Sequence, residues 1–126
     1  MKLVLDSGAL IALERNDRPT WVRYEAARQA GAVPVTHGGV VGQVWRGRGS
    51  RQALLADALK AIEVRPLDEA LGRAAGVLLG AANRQDVVDA ALVLLAQDGD
   101  RIITSDPDDI AVLAAIADRH IEIIPV

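Results

Sequence analysis

Short apolar runs alternate with longer amphipathic segments along the whole chain. The apolar runs have the length and continuous hydrophobicity of buried strands, and they occupy residues 2–6, 32–36, 62–66, 101–104 and 121–126. The intervening segments carry apolar residues at helical spacing, with Pro19 at the start of one helix and Gly31 at its end. They predict helices over 8–15, 19–31, 38–47, 50–61, 67–83, 86–99 and 107–118, with glycines interrupting 38–47 and a cap at the start of 50–61.

This order of elements predicts the fold class. Strands that alternate with helices are typical of an α/β domain with a parallel sheet, joined by right-handed crossovers and covered by helices on both faces. We therefore expect a three-layer α/β/α domain whose central, mostly parallel sheet has four to five strands. No linker-like segment divides the chain, so residues 1–126 are expected to form a single domain.

Composition narrows the classes of protein further. Hydrophobic residues make up 51% of the 126 positions, which is enough for a core, and the net charge of -3 indicates no general affinity for nucleic acid or anionic membranes. Cysteine is absent, which excludes disulfides and thiolate zinc sites. The first apolar stretch is too short, and acquires charge too early, for a signal peptide or a membrane span, so we expect a soluble cytoplasmic protein.

Four aspartates are predicted to meet at the carboxyl edge of the sheet, where open parallel sheets form their sites. Asp6 ends the first strand, and Asp106 follows the strand at 101–104. The preceding helix runs antiparallel to that strand, so its first turn, with Asp86 and Asp89 on one face, begins at the same edge. Each Asp also has the placement of a helix cap or first-turn residue. Capping accounts for each one separately, but not for their convergence.

Carboxylates gathered in this way repel one another, by roughly 1 kcal/mol for a pair 4 Å apart in water and by more in a dry site. They therefore require a cation or bound protons. An all-oxygen ligand set suits Mg²⁺ or Mn²⁺ rather than zinc or copper, and such an ion can activate water and hold a phosphodiester. Asp108 and Asp109, in the same acidic run, are interpreted as solvated residues of a helix first turn.

Other chemistries have little support. A ribonuclease that works through two histidines would need His37 and His120 together, but these residues are predicted to lie at opposite edges of the sheet. No GxxxxGK[ST] or GxGxxG motif is present to hold a nucleotide phosphate. Ser7 and Ser105 have no His–Asp partners placed for nucleophilic catalysis.

Three strings, "LVLDSGALIAL", "DVVDAALVLLA" and "IITSDPDDI", occur in this order. Together they resemble the PIN-domain nucleases, and most closely the VapC-type toxins of bacterial toxin–antitoxin pairs, over nearly the whole chain. The resemblance implies a PIN-like fold and a Mg²⁺- or Mn²⁺-dependent endoribonuclease that cuts structured RNA. It also implies a cognate antitoxin that blocks the site, and frequent homodimerisation.

The resemblance also assigns the site residues. Asp6, Asp89 and Asp106 match three catalytic, metal-binding acids of the family, and Asp86 lies one turn before Asp89 as a further metal ligand. The family usually has a Glu on the helix after the second strand, in a stretch similar to "VVGQVWRG", and Gln43 occupies that place here. Gln43 keeps a carbonyl oxygen and loses the charge, which affects metal affinity.

Substrate-positioning residues are expected beside this set. Thr104 and Ser105 directly precede the last catalytic acid, and Arg46 begins the basic string "RGRGSR", which is suited to RNA phosphates. Trp45 is interpreted as a core or interface residue in preference to one that stacks on a base.

Two other functions stay open. The first is a catalytically weak module that binds RNA or an antitoxin, which the loss of charge at Gln43 supports. The second is a receiver-type phospho-acceptor domain, which also gathers acids at the carboxyl edge of a parallel sheet. A receiver needs an Asp at the end of a middle strand and a Lys near a late one, and neither is present in the expected places.

Overall fold

Five parallel strands form a single central sheet. In this computed structural model, which describes residues 1–126, the strands are β1 (Leu3–Leu5), β2 (Val35–His37), β3 (Glu63–Arg65), β4 (Arg101–Thr104) and β5 (Glu122–Pro125). Their order across the sheet is β3-β2-β1-β4-β5, and every neighbouring pair is parallel. The expected α/β class is confirmed. The sheet is wholly parallel, where the sequence indicated a mostly parallel one.

Seven helices cover the two faces of the sheet. They are α1 (Ser7–Glu14), α2 (Arg18–Gln29), α3 (Gly38–Val44), α4 (Gln52–Leu59), α5 (Glu69–Ala82), α6 (Val87–Leu95) and α7 (Pro107–Ile116). Helix α1 contacts α2, α3 and α4, whereas α5, α6 and α7 contact one another. These two groups form the outer layers of a three-layer α/β/α arrangement. None of the helices is long and apolar enough to cross a membrane.

The core explains why β1 is continuously apolar. Leu3, Val4 and Leu5 of β1 are fully buried, and so is Ile102 of the adjacent β4. A strand with helices on both faces has no solvent-facing side, so every side chain of β1 is apolar rather than every second one. The edge strand β3 (EVR) is partly exposed and carries charged residues instead.

Two helices differ from their predicted form. Helix α3 ends at Val44, three residues early, because Trp45 adopts an extended backbone conformation (φ -73°, ψ 129°). The expected cap of the helix at 50–61 is wrong, since α4 begins at Gln52 and no side chain caps its first turn. Both differences lie in or next to the loop 45–51.

The strand order selects one place for a site. The chain moves from β1 to β2 and β3 on one side, then returns to β4 on the other side of β1. Ligands in open α/β sheets bind outside the carboxyl ends of the strands at such a switch point, here between β1 and β4. This order also differs from the 2-1-3-4-5 order of receiver-type domains, which removes the phospho-acceptor alternative.

Candidate metal and nuclease site

Asp6 occupies the switch point at the end of β1. Its Oδ1 accepts a hydrogen bond from Ala9 N (2.8 Å) and caps α1, while its Oδ2 accepts one from Ser105 N (3.1 Å). The side chain is only 3% exposed. Asp6 therefore ties the start of α1 to the loop after β4. The capping role that the sequence suggested is real, and it coexists with a position at the carboxyl edge.

Asp86 and Asp89 belong to the first turn of α6. Asp86 is exposed and caps the helix, since its Oδ1 accepts from Val88 N (3.0 Å) and Asp89 N (3.1 Å). Asp89 is partly buried and caps nothing. The cap fixes the first turn, and the helix places the Asp89 carboxyl among the other acids.

Asp106 begins α7 without using its side chain as a cap. Its backbone N–H donates to Thr104 Oγ1 (2.8 Å), while its carboxyl is exposed. Thr104 itself is fully buried at the end of β4. The expectation that Thr104 contacts a substrate is therefore revised, because a buried hydroxyl cannot reach RNA and instead fixes the backbone of Asp106.

The electrostatics show that these acids converge. Burial is the largest cause that raises the pKa of Asp89 to about 7 from an ordinary value of 3.8. The charges of Asp86, Asp106, Asp6 and Asp109, in that order, raise it further. Carboxylates from three segments, namely the end of β1 and the starts of α6 and α7, thus act on one another at the carboxyl edge of the sheet.

Asp109 is a member of this cluster that the sequence analysis placed in solvent. Partial desolvation raises the pKa of Asp106, and the neighbouring Asp109 carboxyl is the next largest cause. The two residues are three apart on α7, so they share a helix face, and this spacing was the signal available in the sequence. Arg84 Nη1 lies 3.4 Å from Asp109 Oδ1 and makes the cluster's one ion pair with a cationic side chain.

The acidic side chains do not form a complete set of direct ligands for a divalent cation. No group of three or more His, Asp or Glu side chains is arranged so that it could hold a metal directly. Mg²⁺, however, commonly keeps several waters and binds through only one or two carboxylates. Asp89 and Asp106, which repel each other and make no ion pair, fit that mode of binding.

Gln43 and Arg46 lie at the end of α3. Gln43 is exposed, and no hydrogen bond of its side chain is present. The guanidinium of Arg46 donates to the carbonyl oxygens of Gly42 (3.3 Å), Gln43 (3.1 Å) and Trp45 (2.8 Å). Arg46 therefore closes the end of the helix, and its role in positioning a substrate stays a prediction.

Gly8 and Ser105 make a close approach that the sequence did not reveal. A Cβ added at Gly8 would lie 2.3 Å from both Cβ and Oγ of Ser105. Only a glycine lets α1 begin this close to the loop after β4. Ser105 is exposed, with its side chain against Gly8, and its role in positioning a substrate stays a prediction.

His37 is a second positioning residue that was missed. Its ring is fully buried, with Nδ1 accepting from Gly39 N (3.1 Å) and Nε2 2.9 Å from Val88 O. Because Nδ1 accepts, Nε2–H donates to Val88 O, the residue directly before Asp89. Burial lowers the pKa of His37, which keeps the ring neutral. His37 thus fastens the first turn of α6 to the end of β2.

Comparison with known proteins supports the fold. A chain in the crystal structure of VapBC2 from Rickettsia felis, bound to a DNA fragment from their promoter, matches with a TM-score of 0.71 at 12% sequence identity. The match covers 98% of each chain. The PIN-like fold is confirmed. No protein-family model and no curated protein matches the sequence, so the similarity lies in three-dimensional arrangement.

Proposed function

We propose that this protein is a divalent-metal-dependent endoribonuclease and the toxin of a toxin–antitoxin pair. The observation that carries the proposal is the gathering of carboxylates that raises the pKa of Asp89 to about 7. Folding brings these like charges together at an energetic cost, and a cation offsets that cost by neutralising them. Their position at the switch point of a parallel sheet is where such folds bind ligands.

The side chains divide into ligands and positioning groups. Asp89 and Asp106 would hold the cation, with the exposed Asp86 beside them. Mg²⁺ or Mn²⁺ bound there would supply charge neutralisation at a phosphodiester and a more acidic water. Asp6 is the third expected ligand, since each of its oxygens accepts one backbone N–H, which fixes the carboxylate, and keeps a second lone pair for the cation.

The remaining groups orient the ligands and the substrate. Thr104 holds the backbone of Asp106, and His37 holds the turn that carries Asp89. We expect the hydroxyl of the exposed Ser105 to donate to a phosphate oxygen of the substrate. Gln43, at the end of α3, offers a neutral amide where a carboxylate would otherwise increase cation affinity.

The toxin assignment rests on the shared fold and the order of the acidic motifs. The similar chain comes from a VapBC2 complex. By extension, a cognate antitoxin that covers the acidic edge would keep this protein inactive, and a homodimer is the expected assembly. We place the protein in the cytoplasm, where its RNA substrate is found.

An RNA-cleavage assay tests the proposal. A labelled structured RNA is incubated with the protein in millimolar Mg²⁺ or in chelator, and cleavage is expected only with the cation. Asp106→Asn should lower the rate by about 100-fold or more. Asp106 is preferred to Asp6 because its side chain caps no amide and contributes less to folding. Asp108→Asn, an equal charge change two residues along the chain, should leave the rate near that of the native protein.

A binding module without turnover is the second candidate. The loss of charge at Gln43 and the lack of a closed set of three ligands favour it. RNA or antitoxin binding without cleavage at saturating Mg²⁺ and Mn²⁺ would establish this candidate and remove the first.

A further inference from the structure

We propose that the loop 45–51 is a single-stranded RNA subsite, in which Trp45 stacks on a base and Arg48 and Arg51 contact phosphates. The inference rests on the proposed ribonuclease function and adds to it where the substrate chain runs outside the acidic site. Four observations on this loop support it: the hydrogen bonds that anchor it, its unpaired arginines, its exposed aromatic ring and its position relative to α3.

Gln52 fixes the start of the loop through hydrogen bonds. The Oε1 atom of this largely buried side chain accepts hydrogen bonds from Arg46 N (3.0 Å) and Gly47 N (3.3 Å). Its Nε2 donates to Glu14 at the end of α1. Gly47 (φ +74°) and Gly49 (φ +97°) supply the left-handed turns that the remaining path requires. Gln52 therefore anchors the start of the loop to the end of α1.

Its free positive charge is local and unneutralised. The sequence from Ala26 to Ala56 contains no Asp or Glu, although the net charge of the protein is -3. Arg48 and Arg51 are exposed and take part in none of the salt bridges. Because the Arg46 guanidinium is occupied by helix carbonyls, these two side chains are the ones available to an anion.

Trp45 supplies a stacking surface beside these charges. The residue is 41% exposed, so the core alternative of its interpretation from sequence is wrong, whereas the interface alternative is untested. Gly47 lies beside the indole edge, since a Cβ built there would be in ordinary van der Waals contact with Nε1 (3.6 Å). An exposed aromatic ring next to arginines is the combination that binds single-stranded nucleic acid by stacking and phosphate contact.

The position of the loop suits a strand that enters the acidic site. Helix α3 (Gly38–Val44) follows its N-cap His37, whose ring lies 2.9 Å from the carbonyl oxygen of Val88, the residue before Asp89. Seven residues of helix span about 10 Å. A substrate strand of a few nucleotides can therefore reach from the acidic edge, along α3, to Trp45.

RNA binding without cleavage tests the subsite directly. The probe is a fluorescein-labelled 12-nucleotide oligouridine, and its anisotropy is followed in chelator over a range of salt concentrations. Arg48→Ala/Arg51→Ala should weaken binding and reduce the slope of log K against log salt by about 1.4, since each phosphate contact on a single strand contributes about 0.7. Arg18→Ala/Arg23→Ala removes two other exposed, unpaired arginines and should leave affinity and slope near native values.

Substitutions of Trp45 and its fluorescence test the stacking separately. Trp45→Ala should weaken binding by about tenfold, and Trp45→Phe should restore most of the loss. In a Trp21→Phe background Trp45 is the sole tryptophan, and the RNA should quench its fluorescence. Unchanged affinity in Trp45→Ala, or no quenching, would overturn the stacking role.

The remaining outcomes separate this inference from the proposed function. Equal salt slopes for the two double-arginine variants would overturn the subsite, even if the protein cleaves RNA. Loop-dependent RNA binding without cleavage in Mg²⁺ would support the subsite and contradict the ribonuclease proposal. A 12-residue oligoglutamate that binds through Arg48 and Arg51 while oligouridine does not would mean that the loop recognises an acidic protein, and would overturn the inference.

Discussion

Asp89→Asn should stabilise the metal-free protein, and the gain should depend on pH. In the native protein, burial and neighbouring carboxylates raise the pKa of Asp89 to about 7. An acid with a raised folded-state pKa contributes most to stability below its unfolded pKa, and that contribution is lost as pH rises through the folded pKa. Replacing the carboxyl with a neutral amide removes the loss at high pH and changes little near pH 4.

The magnitude follows from the pKa difference. The interval from an ordinary 3.8 to about 7, at about 1.4 kcal/mol per pKa unit, gives an upper bound of roughly 4 kcal/mol. Asp89 is only partly buried, so solvent screening reduces this to about 2–3 kcal/mol. For a chain of this length, that corresponds to a Tm rise of about 5–10 °C at pH 8.

Thermal and denaturant unfolding checks this prediction. The native protein and Asp89→Asn are compared at pH 4.5 and pH 8, in chelator and low salt. Asp108→Asn is the matched control, because it removes an equal charge that does not act on Asp89. If Asp89→Asn gained the same stability at both pH values, or none at pH 8, the carboxylates would not repel one another as described.

Three further predictions concern the frame of the site. Gly8→Ala should destabilise the protein by about 1–3 kcal/mol in urea unfolding, because the new methyl group meets Ser105. Gly72→Ala, on the open face of α5, should not, and an equal effect of both changes would contradict the close approach of Gly8 to Ser105. Asp100→Asn should cost about 2–4 kcal/mol at pH 7 and progressively less toward pH 2. Burial alone would raise the pKa of Asp100, but hydrogen bonds from Lys2 and Gln97 and the Lys2 ammonium lower it, so its contribution is lost as pH falls through that pKa; a pH-independent cost would refute this reasoning. Gln43→Glu should bind Mg²⁺ more tightly in calorimetry because it adds ligand charge, and unchanged affinity would show that Gln43 faces away from the site.

The sequence was sufficient to predict the edge of the sheet on which the acids lie. Parallel strands fix which ends share an edge, so the alternation of strands and helices placed Asp6 after β1 and Asp106 after β4 at the same edge, and the pairing of β1 with β4 makes them neighbours. The same reasoning placed the first turn of α6 there. Strand order was not predicted, and it supplies the switch point between β1 and β4.

Side-chain direction could not be predicted in the same way. Thr104 is the last residue of β4 and is buried like Ile102 and Ile103 before it, whereas Ser105 lies just beyond the strand and is exposed. Arg46 turns back onto helix carbonyls because α3 ends early, which depends on the extended conformation of Trp45. The fit of Gly8 against Ser105 depends on tertiary packing between distant segments and leaves no local pattern.

Melting of the metal-free and Mg²⁺-bound protein at pH 8 tests the central claim, that converging aspartates form a cation site. Millimolar Mg²⁺ should raise the Tm of the native protein by mass action on the folded state. It should raise the Tm of Asp89→Asn much less, because that variant lacks both the repulsion and the ligand. Identical melting temperatures with Mg²⁺ and with chelator, at concentrations that saturate a millimolar site, would contradict the claim.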